Sequence, residues 1–132
     1  MAGFEFDFGD LTEQLEKLDN FDGIAESILE KATPILEEKV KAECERHVRT
    51  RSMKNSVKKT KAKKGKNGWF AVVRPTGVDE NGVRNMEKLA HIEYGTSKQS
   101  ADPILSVAVK KSEQPIANIM QEIYNKEVGN DN

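Results

Sequence analysis

The chain is 132 residues long, with 36% apolar and 33% charged side chains and a mean hydropathy of −0.68. That length suits one compact domain, and the absence of any apolar run near the roughly 20 residues of a spanning helix excludes a membrane-spanning protein. The start, Met1 to Asp7, lacks the basic and apolar stretches of a secretory signal. A single cysteine, Cys44, excludes an internal disulfide framework and a cysteine-based zinc site.

The formal net charge of −1 conceals a strong segregation. Residues 1–45 carry 13 acidic and 4 basic side chains, residues 46–74 carry 11 basic and none acidic, and residues 75–132 carry 9 acidic and 6 basic. Such a cationic block favours an anionic partner: nucleic acid, an acidic protein face, or the chain's own acidic third. Charge counting does not choose among the three.

In chain order, Phe4, Phe6 and Phe8 alternate with acidic residues, predicting a short strand. Leu11, Leu15 and Leu18 follow at helical spacing, with Asp10 as candidate N-cap. A longer helical pattern runs through Ile24, Ile28, Ala32, Ile35, Leu36, Val40, Cys44 and Val48. Pro34, preceded by Thr33, predicts either one kinked helix or two abutting helices.

Met53 to Thr60 reads as a strand running into Lys61–Gly68, and Trp69 to Pro75 is the strongest strand signal in the chain, aromatic and β-branched. The pair predicts a β-hairpin with an exposed basic tip over about 58–68. Residues 76–85, with Gly77 and Gly82, predict a flexible loop. A short helix from Met86 to Tyr94 follows, with Asn85 as its cap and Gly95 after its end. Asp102-Pro103 marks the start of the last helix, which has an apolar stripe, a bend expected at Pro115, and a frayed tail over 129–132.

Candidate chemistry is sparse. His91-Ile92-Glu93 matches a fragment of the zinc-deaminase signature, yet the required cysteine pair is missing. His47 near Cys44 has Glu45 beside it, which disfavours a reactive thiolate. No phosphate-binding glycine motif occurs. The expectation is a protein that is not an enzyme and uses no cofactor or metal. Lys58, Lys59, Lys61, Lys63, Lys64 and Lys66 are the candidate contacts to a DNA backbone or to an assembly partner. Their composition suits phosphate neutralisation and offers little for reading bases.

The run His91-Ile92-Glu93-Tyr94-Gly95-Thr96-Ser97, with Lys98, Ala101 and Pro103 after it, resembles the small tail-component proteins of long-tailed bacteriophages and prophages, which act in tail completion, at the neck or in head–tail joining. Thr50, Ser56 and Val57 also fit the family's pattern before its first hairpin strand, whereas Arg51, Met53 and Ile104 stand where the family has Gly, Leu and Phe. The resemblance spans nearly the whole chain and marks Glu93, Tyr94, Gly95, Thr96 and Pro103 as a structural motif. It implies a virion protein of the neck or tail, made in the host cytoplasm, a subunit of a homo-oligomeric ring around a DNA channel, and in contact with other neck and tail proteins. The expected fold is α+β: a small antiparallel sheet with a basic β-hairpin, packed against a long N-terminal helix and a C-terminal helix.

Overall fold

The structure is a computed structural model that describes residues 10–45, 51–66 and 68–130. The expected phenylalanine strand, the Asp10 side chain, His47 and Thr50 lie outside the described residues. In order, the elements are α1 (Asp10–Glu16), α2 (Phe21–Cys44), α3 (Arg51–Ser56), β1 (Val57–Lys59), β2 (Lys63–Gly65), β3 (Gly68–Phe70), β4 (Val73–Pro75), α4 (Asn85–Tyr94) and α5 (Leu105–Asn130). The architecture is α+β, with two long helices and a small antiparallel strand set. No helix among the described residues is long and apolar enough to cross a membrane.

The helices α2 and α5 pack antiparallel through two apolar clusters. Ile24 and Ala32 of α2 meet Ile116, Met120 and Ile123 of α5, together with Leu15 of α1. Farther along, Val40 and Cys44 meet Ala108 and Ile104, joined by Met53, Val57, Leu89 and Ile92. With the partly buried Ile28 and Leu36 between them, these positions fall at multiples of three or four residues, so each helix turns one stripe toward the other. An ion pair from the exposed Lys111 Nζ to the buried Glu43 Oε1, at 2.5 Å, also links the two helices.

Each long helix carries a proline in its interior, Pro34 and Pro115, where an i−4 backbone hydrogen bond is lost. The chain nonetheless forms one continuous α2, which settles the alternative at Thr33-Pro34 in favour of a single helix. Within three residues before each proline a buried hydroxyl donates to its own helix: Thr33 Oγ1 to the Leu29 carbonyl at 2.5 Å and Ser112 Oγ to the Ala108 carbonyl at 2.7 Å. Such i−4 bonds satisfy a buried hydroxyl without a partner on the facing helix. In sequence, both hydroxyls fall between the two apolar clusters. Helix α5 continues through Gly129 to Asn130, into the segment expected to fray.

The strand expected from Met53 is a helix as far as Ser56, and only Val57–Lys59 is extended. Met53 is fully buried in the second cluster, and the Ser56 hydroxyl donates to the Met53 carbonyl at 2.6 Å, closing the turn. Arg-Ser-Met-Lys-Asn-Ser holds no β-branched residue, so nothing local opposes the helix.

Candidate interaction surface

The hairpin is built in two stages with different registers. At its base, Val57, Lys58 and Lys59 pair with Pro75, Arg74 and Val73. Toward the tip, Lys63, Lys64 and Gly65 pair with Phe70, Trp69 and Gly68. Three residues, 60–62, thus oppose two, 71–72, which makes a β-bulge on the first strand. The Thr60 amide donates to the Val72 carbonyl and the Val72 amide to Thr60 Oγ1, both at 2.9 Å. A side-chain oxygen thereby replaces a ladder acceptor that the bulge removes. Carried to the tip, the base register would close on a three-residue connection; the extra residue leaves only residues 66 and 67 between Gly65 and Gly68, the commonest hairpin length.

The second strand alternates without interruption, and its pleat sorts the side chains. Pro75 is buried and Val73 packs against the core, while Trp69, on the same face, donates from Nε1 to Asp22 Oδ1 of α2 at 2.9 Å. Its cross-strand neighbour Lys64 reaches the other oxygen of that carboxylate at 3.2 Å. Both hydrogen bonds, and the Trp69 one first, hold the Asp22 carboxyl below its ordinary pKa. The lysines of the tip are exposed, as expected, but Lys64 and Trp69 also tie it to the start of α2, so the chain's own acidic third takes part of the basic block.

The opposite face carries Lys58 and Arg74, then Lys63 and Phe70, all exposed. Phe70 is 45% exposed, and its Cδ1 and Cε1 atoms cover Gly65, where an added Cβ would approach Cε1 to 2.8 Å. Lys61 at the bulge and Lys66 beside the turn are exposed, as is Lys59, although its pair Val73 faces inward. Of the six candidate lysines, Lys64 alone makes an ion pair with a described residue; Lys58, Lys59, Lys61, Lys63 and Lys66 extend to solvent. Arg74 and Phe70 escaped the sequence reading, although the period-2 pattern of 69–75 would have found both.

The motif residues meet in the connection between α4 and α5. Glu93 is 3% exposed and its carboxylate accepts from the Ile104 amide at 2.7 Å, the Leu105 amide at 2.5 Å, the Ser106 amide at 3.2 Å and the Ser106 hydroxyl at 2.8 Å. It thus takes three of the four amide donors that a helix start leaves unbonded and faces the positive end of α5. This cap, supplied from the preceding helix, is what the sequence reading placed at Asp102. Gly95 has φ 78° and ψ 173°, a region only glycine occupies readily, and a Cβ there would lie 2.8 Å from the Ala101 amide nitrogen. The Thr96 amide donates to the Gln99 carbonyl at 2.8 Å, and the Asp102 amide to the Ile92 carbonyl at 2.8 Å, while Pro103 sits half-buried just ahead of Ile104. Tyr94 is exposed and takes no part in this packing.

Residues 76–85 form a hydrogen-bonded loop. Asp79 Oδ1 accepts from the Asn81 and Val83 amides, both at 2.9 Å, and Oδ2 accepts from Lys88 Nζ at 2.9 Å. These contacts, the Lys88 bond foremost, hold the Asp79 carboxyl below its ordinary value. Asn85, expected to cap α4, instead donates from Nδ2 to the Thr76 carbonyl at 2.8 Å and lies inside the helix behind Arg84. Its amide is already engaged with Gly77, so the buried side chain closes the loop's neck.

His91 and Glu93 do not form a site: the imidazole is exposed and the carboxylate is buried against α5. Burial, the largest effect, and neighbouring Glu43 push the Cys44 thiol up to about 11, which keeps it protonated and unreactive at neutral pH. No group of three or more metal-ligating side chains is gathered among the described residues. Comparison with protein-family models, with curated proteins and with solved structures gives no match.

Proposed function

We propose that the chain is a non-enzymatic structural protein of a phage virion, acting in tail completion or head–tail joining as a subunit of a ring at the neck. The observation that carries this reading is the joint role of Glu93, Gly95, Thr96 and Pro103 in one connection. These residues carry the family resemblance, and each acts on backbone: an acid on helix amides, a glycine against a neighbouring peptide, a threonine closing a turn. A motif that builds a connection rather than a reaction centre suits a rigid assembly subunit. The exposed lysines of the hairpin supply a charged surface for neighbouring proteins or DNA in such a ring.

The test is disruption of the gene in the phage or induced prophage that carries it, followed by electron microscopy of the lysate. The expected result is filled heads separate from tails, or tails with an unfinished end, restored by the gene in trans. Normal, infectious particles from the disrupted genome overturn the reading.

A further inference from the structure

The outward face of the hairpin carries an arrangement that a merely solvated surface does not require. Lys58 and Arg74 stand directly opposite each other across the strands, and like charges in that relation repel. Lys61 is exposed at the bulge, and Lys63 pairs across the strands with Phe70. No acidic residue lies in this segment, because residues 46–74 contain none. The Asp22 carboxylate serves the other face, with Lys64 and Trp69. An aromatic ring thus shares its face with Lys58, Lys63 and Arg74, next to the exposed Lys61 of the bulge, one side of it resting on Gly65 and nearly half its surface open to water.

We propose that this face binds single-stranded nucleic acid, with Lys58, Lys61, Lys63 and Arg74 along the phosphates and an unstacked base against Phe70. Cations neutralise the backbone without regard to sequence, and an aromatic face accepts any base. An acidic protein partner would account for the cations and leaves the open Phe70 ring without a role. A duplex would offer phosphates to the cations but no unpaired base to the ring. Gly65 matters here because it lets the ring lie down against the strand: a side chain at that position would lift it. Binding of this kind requires nothing of a ring or a virion, so it stands or falls apart from the function proposed above.

The experiment is fluorescence anisotropy of the full chain with labelled oligo(dT) of about 20 nucleotides, against a mixed-sequence duplex of the same length. Four phosphate contacts give a log–log salt slope of about −2.8, so affinity falls about fifty-fold between about 50 and about 200 mM salt. In K58Q/K63Q two contacts go, and the same change of salt costs only about sevenfold. Phe70→Ala weakens oligo(dT) binding by roughly five- to 150-fold, leaves the salt slope alone, and leaves duplex binding alone, while Phe70→Trp retains affinity. All these side chains are exposed, and unchanged circular dichroism and Trp69 fluorescence establish that the variants fold. Absence of salt-dependent oligo(dT) binding overturns the proposal, and so does a Phe70→Ala protein that binds as wild type. Sedimentation of the same variants covers the rival: self-association lost in K58Q/K63Q, with no oligonucleotide binding by wild type, makes the face a protein interface and overturns the proposal too.

Discussion

Removing the Glu93 carboxylate tests whether the link between α4 and α5 holds the fold together. Its four hydrogen bonds lie between 2.5 and 3.2 Å, and three come from backbone amides with no other partner inside their helix. In Glu93→Ala, the Leu105 and Ser106 amides are near enough to the surface for water to reach them. The Ile104 amide belongs to a residue with no exposed surface, and one buried unbonded donor costs about 2 kcal/mol. Loss of the cap and of the favourable helix-end charge adds about 1–2 kcal/mol, for about 3–4 kcal/mol in all. At about 4 °C per kcal/mol for a domain of this size, the melting temperature falls by about 12–16 °C. Glu93→Gln keeps one acceptor oxygen but turns an NH2 group toward the Ser106 amide, and loses about 1–2 kcal/mol. Ser106→Ala removes one bond at an exposed residue and costs about 0.5–1 kcal/mol. Thermal melts give the ranking, and hydrogen exchange gives the place, because the Ile104–Ser106 amides lose protection first. A Glu93→Ala protein that melts within about 4 °C of wild type, an effect near 1 kcal/mol, refutes the reasoning.

Gly95→Ala combines a disfavoured backbone conformation with a 2.8 Å approach of the new Cβ to the Ala101 nitrogen; the expected loss is about 2–3 kcal/mol by denaturant titration, whereas an alanine at Gly129, helical and in open space, leaves stability unchanged or raises it by up to about 1 kcal/mol. The Asp79 carboxyl titrates lower in the folded chain than its ordinary 3.8, so its stabilisation is complete above that value and is lost as pH falls through the depressed one. The protection factors of the Asn81 and Val83 amides, taken relative to intrinsic exchange at each pH, therefore fall on acidification below about pH 4, and Asp79→Asn abolishes this dependence. Trp69 is the single tryptophan, and its indole donates to Asp22. Asp22→Ala shifts its emission to the red and raises its quenching by iodide, with little change in melting temperature because the ion pair is exposed.

The long helices were legible because their burial is periodic: Ile24, Ala32 and Val40 of α2, and Ala108, Ile116, Met120 and Ile123 of α5, recur at spacings that local sequence displays. Gly95 was legible for the same reason, as a residue type that a helix end with positive φ requires. What escaped depends on contacts between distant segments. Residues 51–56 are too short for a periodicity to declare itself, and the burial of Met53 settles their form. The bulge exists only once both strands are paired, since no feature of residues 60–62 alone says that two residues oppose them. The resemblance marks Glu93 as a structural residue, but its partners at the start of α5 are set only when the eleven residues to Ile104 fold back. Asp22 lies 42 residues from Lys64 and 47 from Trp69, a partnership that charge counting allowed without selecting.

The charge segregation acquires a physical meaning from the strand pleat. A block of 11 cations with no anion would repel itself if all its side chains shared one side. Alternation along the hairpin divides them: Lys64 turns to α2 and closes on Asp22, whereas Lys58, Arg74 and Lys63 turn away. The inward contact fastens the tip with one carboxylate shared by a lysine and an indole, while Lys54 closes on Glu45 at the end of α2 and Lys58, Lys63 and Arg74 have no ion pair with a described residue. Near-neutrality of the whole chain is thus compatible with a positive local face, because Asp22 of α2 meets the hairpin on its other side. The Glu93 connection secures α5 against α4, and α5 in turn supports the cluster in which Val57 is buried. Through Val57, the base of the charged hairpin rests on the same core as the motif residues, which is why a change at Glu93 should reach the cationic face although no lysine touches it.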